Sequence, residues 1–210
     1  MRFLLDAIAW ICDPVNILGP QGWLGRLVEH MAYSLLVLLI AAVIAVPLGW
    51  YIGHSGRGRF LVVATSGAVR ALPTLGVLTL AALWLGIGLA APVIALALLA
   101  IPPLLAGAYS GVEAADPSAV DGGRAIGMTE LGILRSIEIP LSTPLLICYA
   151  RSAILQVIAT ATLAAYTGAG GLGRYLFLGL KTQDYALMVA GSLLVIALAI
   201  VVDAAFALLQ

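Results

Sequence analysis

The sequence predicts an all-α integral membrane protein with about five transmembrane helices, or six if one apolar stretch is divided. Of its 210 residues, 63% are hydrophobic and 10% are charged, whereas soluble domains carry about 25% charged residues. The mean hydropathy is +1.13. The long apolar runs do not alternate with polar residues as barrel strands do, so helices are the segments that can satisfy their own backbone groups in lipid. A formal net charge of zero gives no basic field for nucleic acid.

Residues 1–28 are predicted to form an interfacial segment, followed by a transmembrane domain over 29–210. The start is similar to a signal peptide, but Asp6 interrupts the apolar core and no A-x-A cleavage pattern follows. A membrane crossing needs about 20 residues, so the short apolar stretch before residue 13 cannot span. We expect Trp10 and Trp23 to lie near the lipid headgroups.

Five apolar stretches are long enough to cross a bilayer as helices. In order, they cover 30–53, 60–84, 92–109, 141–166 and 185–209. Pro47 is expected to kink the first helix, and Pro102 with Pro103 to bend the third. Arg70 and Pro73 interrupt the second stretch, which is therefore predicted to be a bent helix.

Charge in the short turns indicates an orientation locally, although the charges summed over all loops nearly balance. The turn at 54–59 carries two arginines and the turn at 86–92 carries no charge, so the positive-inside tendency predicts that the first turn is cytoplasmic. The polar stretch at 111–139 follows two spans later and is expected on the same side. Arg174 and Lys181 fall on the predicted outer side and count against this orientation.

The polar stretch is predicted to fold as two helices around a corner. It holds five of the ten acidic residues, which are Glu113, Asp116, Asp121, Glu130 and Glu138. Asp116 followed by Pro117 is a favourable N-cap and first helical position, and Gly127 is expected to end that helix. A second helix is expected from about Thr129, with Pro140 beginning the next span. Its apolar face is expected to comprise Leu131, Leu134 and Ile137.

Two roles suit a helix, a glycine corner and a second helix in which apolar and charged residues mix. The element could be a solvated connector or a helix lying on the membrane surface. It could also be a docking element for a soluble protein. The residue types alone leave both roles open.

The same stretch resembles the cytoplasmic signature of binding-protein-dependent ABC importer permeases, E-A-A-x3-G-x9-I-x-L-P. A literal E-A-A occurs at 113–115, but residue 119 is Ala where that register requires Gly. The register that fits begins at 121 and reads D-G-G in place of E-A-A, with Ile in place of Leu. The resemblance assigns the stretch at 111–140 to ATPase coupling, carried by Asp121, Gly122, Gly123, Arg124, Gly127, Ile137, Ile139 and Pro140.

The departures from the signature predict a loosely ordered first half of the coupling element. Asp is one methylene shorter than Glu, and each glycine within a helix costs about 1 kcal/mol relative to Ala. Replacing Gly122 and Gly123 with Ala is therefore expected to preserve or improve coupling.

The resemblance covers about 30–209 and extends to other motifs. These are V-P-L-G at 46–49, R-A-L-P at 70–73, D-P at 116–117, A-T-L-A-A at 161–165 and G-A-G-G-L-G at 168–173. The combination is most similar to the osmoprotectant branch, which imports glycine betaine, choline or carnitine; a methionine-type importer is the alternative.

The resemblance implies a type I importer permease in a bacterial or archaeal cell membrane, without chemistry of its own. Its implied partners are an ABC ATPase subunit dimer, a second permease copy, identical or homologous, and an extracytoplasmic solute-binding protein. ATP and Mg would bind to the ATPase, since this chain has no G-x4-G-K-[ST] motif.

The glycine-rich stretch at 168–173 also matches the dinucleotide pattern G-x-G-x-x-G. No predicted strand precedes it, so we interpret it as a tight outer turn that needs the backbone freedom of glycine. The glycines of this outer loop are Gly168, Gly170, Gly171 and Gly173.

Candidate residues for a translocation path are Arg70, Pro73, Tyr109, Gln156, Thr160 and Tyr166. Gln156 and Thr160 share a helix face, although such residues also form ordinary interhelical hydrogen bonds and the tyrosines suit an interfacial belt. A passive channel is the alternative from a different class, but it gives no reason for a docking signature. His30, His54 and the two cysteines lack metal-site spacing, and no paired acids or Ser–His arrangement indicates an intramembrane hydrolase.

Overall fold

The computed structural model describes residues 2–19, 21–60, 62, 64, 67 and 71–208. Within that part of the chain all regular secondary structure is helical, as predicted. The helices are α1 Arg2–Cys12, α2 Pro14–Leu18, α3 Trp23–Ser55, α4 Thr74–Leu85, α5 Ala90–Glu113, α6 Pro117–Ala125, α7 Glu130–Ile133, α8 Ile139–Ala161, α9 Gly173–Thr182 and α10 Tyr185–Ala207. A π-helical turn, Leu134–Glu138, joins α7 to α8, and a 3-10 segment, Thr162–Thr167, follows α8.

Four helical segments in the described ranges are long and apolar enough to cross a membrane. They are Pro14–Ser55, Ala90–Glu113, Glu130–Thr167 and Tyr185–Ala207. The stretch predicted as the second span contains a shorter apolar helix, α4, whose 12 residues rise only about 18 Å. Pro73 is its N-cap, so the predicted interruption at this proline is confirmed, whereas Arg70 lies outside the described residues.

Two spans are longer than the sequence predicts. The helix expected from about residue 30 begins at Trp23 and continues for 33 residues through Pro47, a length of about 50 Å. The helix expected over 92–109 covers Ala90–Glu113 and continues through its two prolines. Glu113 is therefore the last residue of α5, whereas the sequence predicts it to be part of the polar stretch.

Pro140 does not begin a separate span, contrary to expectation. Helical structure is continuous from Glu130 to Ala161. A proline has no N–H for the carbonyl four residues earlier, and its ring crowds that carbonyl. The wide π turn directly before α8 lies where an α-helix would have met this conflict.

The chain divides into two compact units. Unit 1 comprises Met1–Val37, Pro73–Leu96 and Ile154–Ala205, and unit 2 comprises Leu38–Leu72, Ala97–Ala153 and Phe206–Gln210. The turn at 54–59 and the polar stretch belong to unit 2, and the turn at 86–92 and the glycine loop belong to unit 1.

Glycines allow close helix packing in unit 2. A Cβ added to Gly49 of α3 would lie 2.6 Å from the Cβ of Ala108 in α5. A Cβ added to Gly111 of α5 would lie 2.7 Å from the Cβ of Ser142 in α8. Small residues let membrane helices approach closely, which increases the van der Waals packing that holds them together.

Candidate functional site

Both helices of the polar stretch begin where the sequence predicts, and each has a side-chain cap, of which the Asp116 cap was predicted. The carboxylate of Asp116 accepts hydrogen bonds from the hydroxyl (2.8 Å) and the amide (2.9 Å) of Ser118 at the start of α6. These bonds favour the charged form and lower the pKa of Asp116. The hydroxyl of Thr129 accepts from the amide of Gly132 at 3.1 Å, which caps α7.

The corner between the helices is a Schellman motif centred on Gly127. The Gly127 amide donates to the carbonyl of Arg124 at 3.0 Å, and the Met128 amide donates to the carbonyl of Gly123 at 3.1 Å. Gly127 has φ +85°, in the left-handed region that favours glycine. The predicted helix, its end at this glycine and the second helix are therefore confirmed.

The buried face of the second helix differs from the predicted one. Leu131 is 55% exposed, whereas Ile133 is fully buried. Ile133 and Ile137, four residues apart, face Gly123 of α6, where an added Cβ would lie 3.3 Å from Ile133 Cγ1 and 2.8 Å from Ile137 Cδ1. The three-residue spacing fails as a guide because residues two apart lie about 200° apart around an α-helix, so the face that buries Ile133 exposes Leu131.

An apolar side chain stands at the tip of the corner among paired charges. Ile126 is 81% exposed. The guanidinium of Arg124 donates to both oxygens of Glu130, at 3.0 and 3.2 Å, and to Asp121 at 3.3 Å. These charges pair with one another around Ile126, which is the exposed apolar side chain at the tip.

Glu138, at the end of the π turn after α7, anchors the polar stretch to the end of α3. Glu138 is 6% exposed, and its carboxylate lies 2.6 Å from Nδ1 of His54, which donates to it. Nε2 of His54 lies 3.4 Å from a carboxylate oxygen of Glu130. Neither His54 nor Glu138 was among the predicted site residues. Polar residues beside apolar spans were the available signal, but a single sequence does not pair positions 84 residues apart.

The glycine loop in unit 1 is held by a carboxylate from α3. Oε2 of Glu29 accepts a hydrogen bond from the Gly171 amide at 2.9 Å. The hydroxyl of Tyr33 contacts both Glu29 and the carbonyl of Ala169. Gly170 has φ +91°, and a Cβ there would lie 2.6 Å from Glu29 Oε1. The left-handed φ is the main reason why glycine is favoured at that position, and an added Cβ would also displace the Glu29 side chain.

A buried histidine ties the same loop to α8. His30 is fully buried, with Nε2 3.0 Å from the carbonyl of Ile158 and Nδ1 accepting from the Leu172 amide at 3.3 Å. A neutral imidazole with its hydrogen on Nε2 satisfies both contacts. Gly173 packs still closer, since an added Cβ would lie 1.9 Å from the carbonyl oxygen of Thr162.

The N-terminal segment packs against α9. The rings of Trp10 and Tyr175 meet edge-on with centroids 5.1 Å apart, and the Tyr175 hydroxyl donates to the carbonyl of Gln21 at 2.7 Å. Burial raises the pKa of Tyr175. Helix α1 and the residues after α2 therefore contact α9.

The residues predicted for a translocation path fall in different parts of the chain. Pro73, Gln156, Thr160 and Tyr166 belong to unit 1, Tyr109 to unit 2, and Arg70 is outside the described residues. Tyr109 is 7% exposed and Tyr166 is 58% exposed. The hydroxyl of Thr160 donates at 2.7 Å to the carbonyl of Gln156 within its own helix.

Alanine at Gly122 and at Gly123 is expected to act differently. A Cβ at Gly122 meets no atom within 4 Å, so Gly122→Ala should stabilise α6 by about 1 kcal/mol. At Gly123 the Cβ would press on Ile137 Cδ1 at 2.8 Å, which offsets that gain. Hydrogen exchange of the α6 amides in detergent measures both effects. Equal added protection in the two variants would contradict the packing described around Gly123.

Comparison with known proteins gives concordant matches. A family model described as a binding-protein-dependent transport system inner membrane component matches residues 45–210. The chain is 33% identical over 175 residues to the glycine betaine/carnitine/choline transport system permease protein OpuCB of Bacillus subtilis (strain 168), covering 83% of this chain and 81% of that protein. It is 32% identical over 207 residues to the osmoprotectant import permease protein OsmW of Salmonella typhimurium (strain LT2), covering 95% and 93%.

Solved structures are similar in fold. An inward-facing structure of the MetNI methionine ABC transporter matches with a TM-score of 0.77 at 21% identity, over 89% of this chain and 94% of the other. An amino acid ABC transporter with histidines matches with a TM-score of 0.68 at 17% identity, over 89% and 90%.

Proposed function

Because the chain belongs to the family of binding-protein-dependent transport system inner membrane components, we propose that an ABC ATPase dimer drives it through the corner element formed by α6, Gly127 and α7. The chain is the multi-pass permease component of an ABC transporter of the inner membrane. We further propose that it works with a second permease copy and a solute-binding protein to import a compatible solute such as glycine betaine, choline or carnitine.

The exposed Ile126 at the tip of the corner is the observation that carries the coupling proposal. The corner is fixed by the Schellman motif at Gly127, and Glu138 anchors it to His54 at the end of α3. A partner that grips the tip would therefore move α3 together with the corner. In our proposal, closure of the ATPase dimer displaces this element and switches the permease between inward-facing and outward-facing states.

The solute class is supported by the relatives above 30% identity. Their names specify glycine betaine, carnitine, choline or osmoprotectants, and they align over most of both chains. The methionine transporter structures are 20% and 21% identical and support the fold alone. A compatible solute is therefore favoured over methionine.

Uptake by the reconstituted complex tests this proposal. The permease would be placed in proteoliposomes with its ATPase and binding protein, and uptake of radiolabelled glycine betaine, choline, carnitine and methionine would be measured with and without ATP. We expect ATP-dependent uptake of at least one osmoprotectant and none of methionine. Uptake of methionine alone would overturn the solute class, and solute flux without ATP or partners would favour a passive channel.

A further inference from the structure

Two basic residues of α9 remain without a role in the proposed coupling. Arg174 and Lys181 are exposed and lie seven residues apart, on one face of the helix. Neither forms an ion pair with any residue that the structure describes. Both belong to the loop expected outside, where the positive-inside tendency disfavours basic residues. Unpaired cations in that position require a reason.

Both cations line one pocket of unit 1. Its volume is about 300 Å³, and Phe177 and the loop glycines Gly168 and Gly170 also line it. The two glycines have φ values of +82° and +91°, a conformation that side-chain-bearing residues rarely adopt, so this wall stays free of side chains. A volume of this size is at the lower end of the range for small-molecule sites.

An aromatic pair stands beside the cations. The ring centroid of Phe177 lies 5.8 Å from that of Tyr166, which is 58% exposed. Aromatic faces attract quaternary ammonium groups through cation–π contacts, and guanidinium and ammonium groups bind carboxylates through charge-assisted hydrogen bonds. The pocket thus offers complementary groups for both ends of a small zwitterion.

We propose that the pocket lined by Arg174, Lys181 and Phe177 receives a zwitterionic solute and binds its carboxylate. This inference rests on the proposed function and adds a basis for selectivity to it. Glycine betaine and carnitine carry both a carboxylate and a quaternary ammonium group, whereas choline carries a hydroxyl in place of the carboxylate. The two cations therefore distinguish betaines from choline.

Two other partners could use these cations, but they explain less of the pocket. An acidic surface of the binding protein or an anionic lipid headgroup would be attracted by the charge of Arg174 and Lys181. Neither requires an aromatic side chain such as Phe177 or a wall without side chains. Both would also act on all solutes alike, which provides the discriminating observation.

Transport kinetics of the complete complex in proteoliposomes test the proposal. For Arg174→Gln and Lys181→Gln, we expect KM for glycine betaine to rise about tenfold or more, from loss of a charge-assisted hydrogen bond. KM for choline should change less than about twofold, and Lys181→Arg should resemble the wild type. Arg57 is an exposed cation that belongs to unit 2, away from the pocket residues in unit 1. Arg57→Gln should therefore change the KM of neither glycine betaine nor choline.

Protection of Lys181 from acetylation provides a second test of the same pocket. Lys181 is the only lysine of the chain, so acetylation of its amine can be followed by mass spectrometry of one peptide. Glycine betaine should slow this acetylation in the wild-type complex, and choline should not. Equal loss of glycine betaine and choline uptake in the variants, or no protection by glycine betaine, would overturn the proposal. If the wild-type complex imports neither solute, it is the proposed function that fails.

Discussion

Replacing Glu138 with Ala is expected to remove most ATP-driven uptake while the membrane helices stay folded. Glu138 is 6% exposed, and its carboxylate receives a hydrogen bond from His54 at 2.6 Å. Hydrogen bonds to charged groups contribute about 1.5–3 kcal/mol, and this one joins the corner element to α3. Without it, displacement of the corner would no longer move α3. Uptake per ATP hydrolysed in proteoliposomes should fall about tenfold or more.

A nearby ion pair provides the matched control. Arg59 and Glu113 lie 3.3 Å apart with side chains 68% and 45% exposed, and exposed pairs contribute about 0–1 kcal/mol. Glu113→Ala should therefore leave uptake nearly unchanged. His54→Ala should reproduce the Glu138→Ala defect, and the double variant should be no worse than either single one. If Glu138→Ala kept the nearly unchanged uptake expected of Glu113→Ala, the Glu138–His54 contact would not be needed for coupling.

The second large effect is expected at Gly173, where alanine should destabilise unit 1. The added Cβ would lie 1.9 Å from the carbonyl oxygen of Thr162 and 2.6 Å from its carbonyl carbon. Since these atoms belong to the backbone, no side-chain rotation relieves the overlap, and α9 must separate from the 3-10 segment. Overpacking of this kind costs about 1–3 kcal/mol, which should lower the Tm measured in detergent.

Gly25→Ala is the control for that experiment. Gly25 lies within α3, and an added Cβ there meets no atom within 4 Å. Alanine should therefore be neutral or stabilise the helix by about 1 kcal/mol. A Gly173→Ala protein whose Tm equals that of the wild type would refute the close approach of α9 and the 3-10 segment.

Local chemistry made part of the fold predictable. The Asp116 cap, the helix end at Gly127 and the second helix start near Thr129 depend on residues within a few positions of one another, and the structure has all three where the sequence predicts them. The all-α membrane class follows from composition alone. The residue types left both a connector and a docking element open, and only the resemblance favours the docking element.

Contacts between residues far apart in the sequence, and the buried face of the second helix, were not predictable. The Glu138–His54 and Glu29–Gly171 contacts join residues 84 and 142 positions apart, and nothing local to either partner specifies the other. The apolar face through Leu131 was wrong because the segment packs through Ile133, which lies on the opposite side of α7. The alanine expectation for Gly122 and Gly123 treated the two alike, although they differ in packing.

Ile126→Asp tests most directly whether the corner couples an ATPase to transport. Ile126 is 81% exposed, so a charged residue there should not disturb the fold of the permease. The measurement is ATP-driven glycine betaine uptake by the complete complex in proteoliposomes, together with the amount of ATPase bound to the permease. The coupling account predicts that the ATPase dissociates and that uptake falls to the level seen without ATP. Wild-type uptake with the ATPase still bound would contradict it.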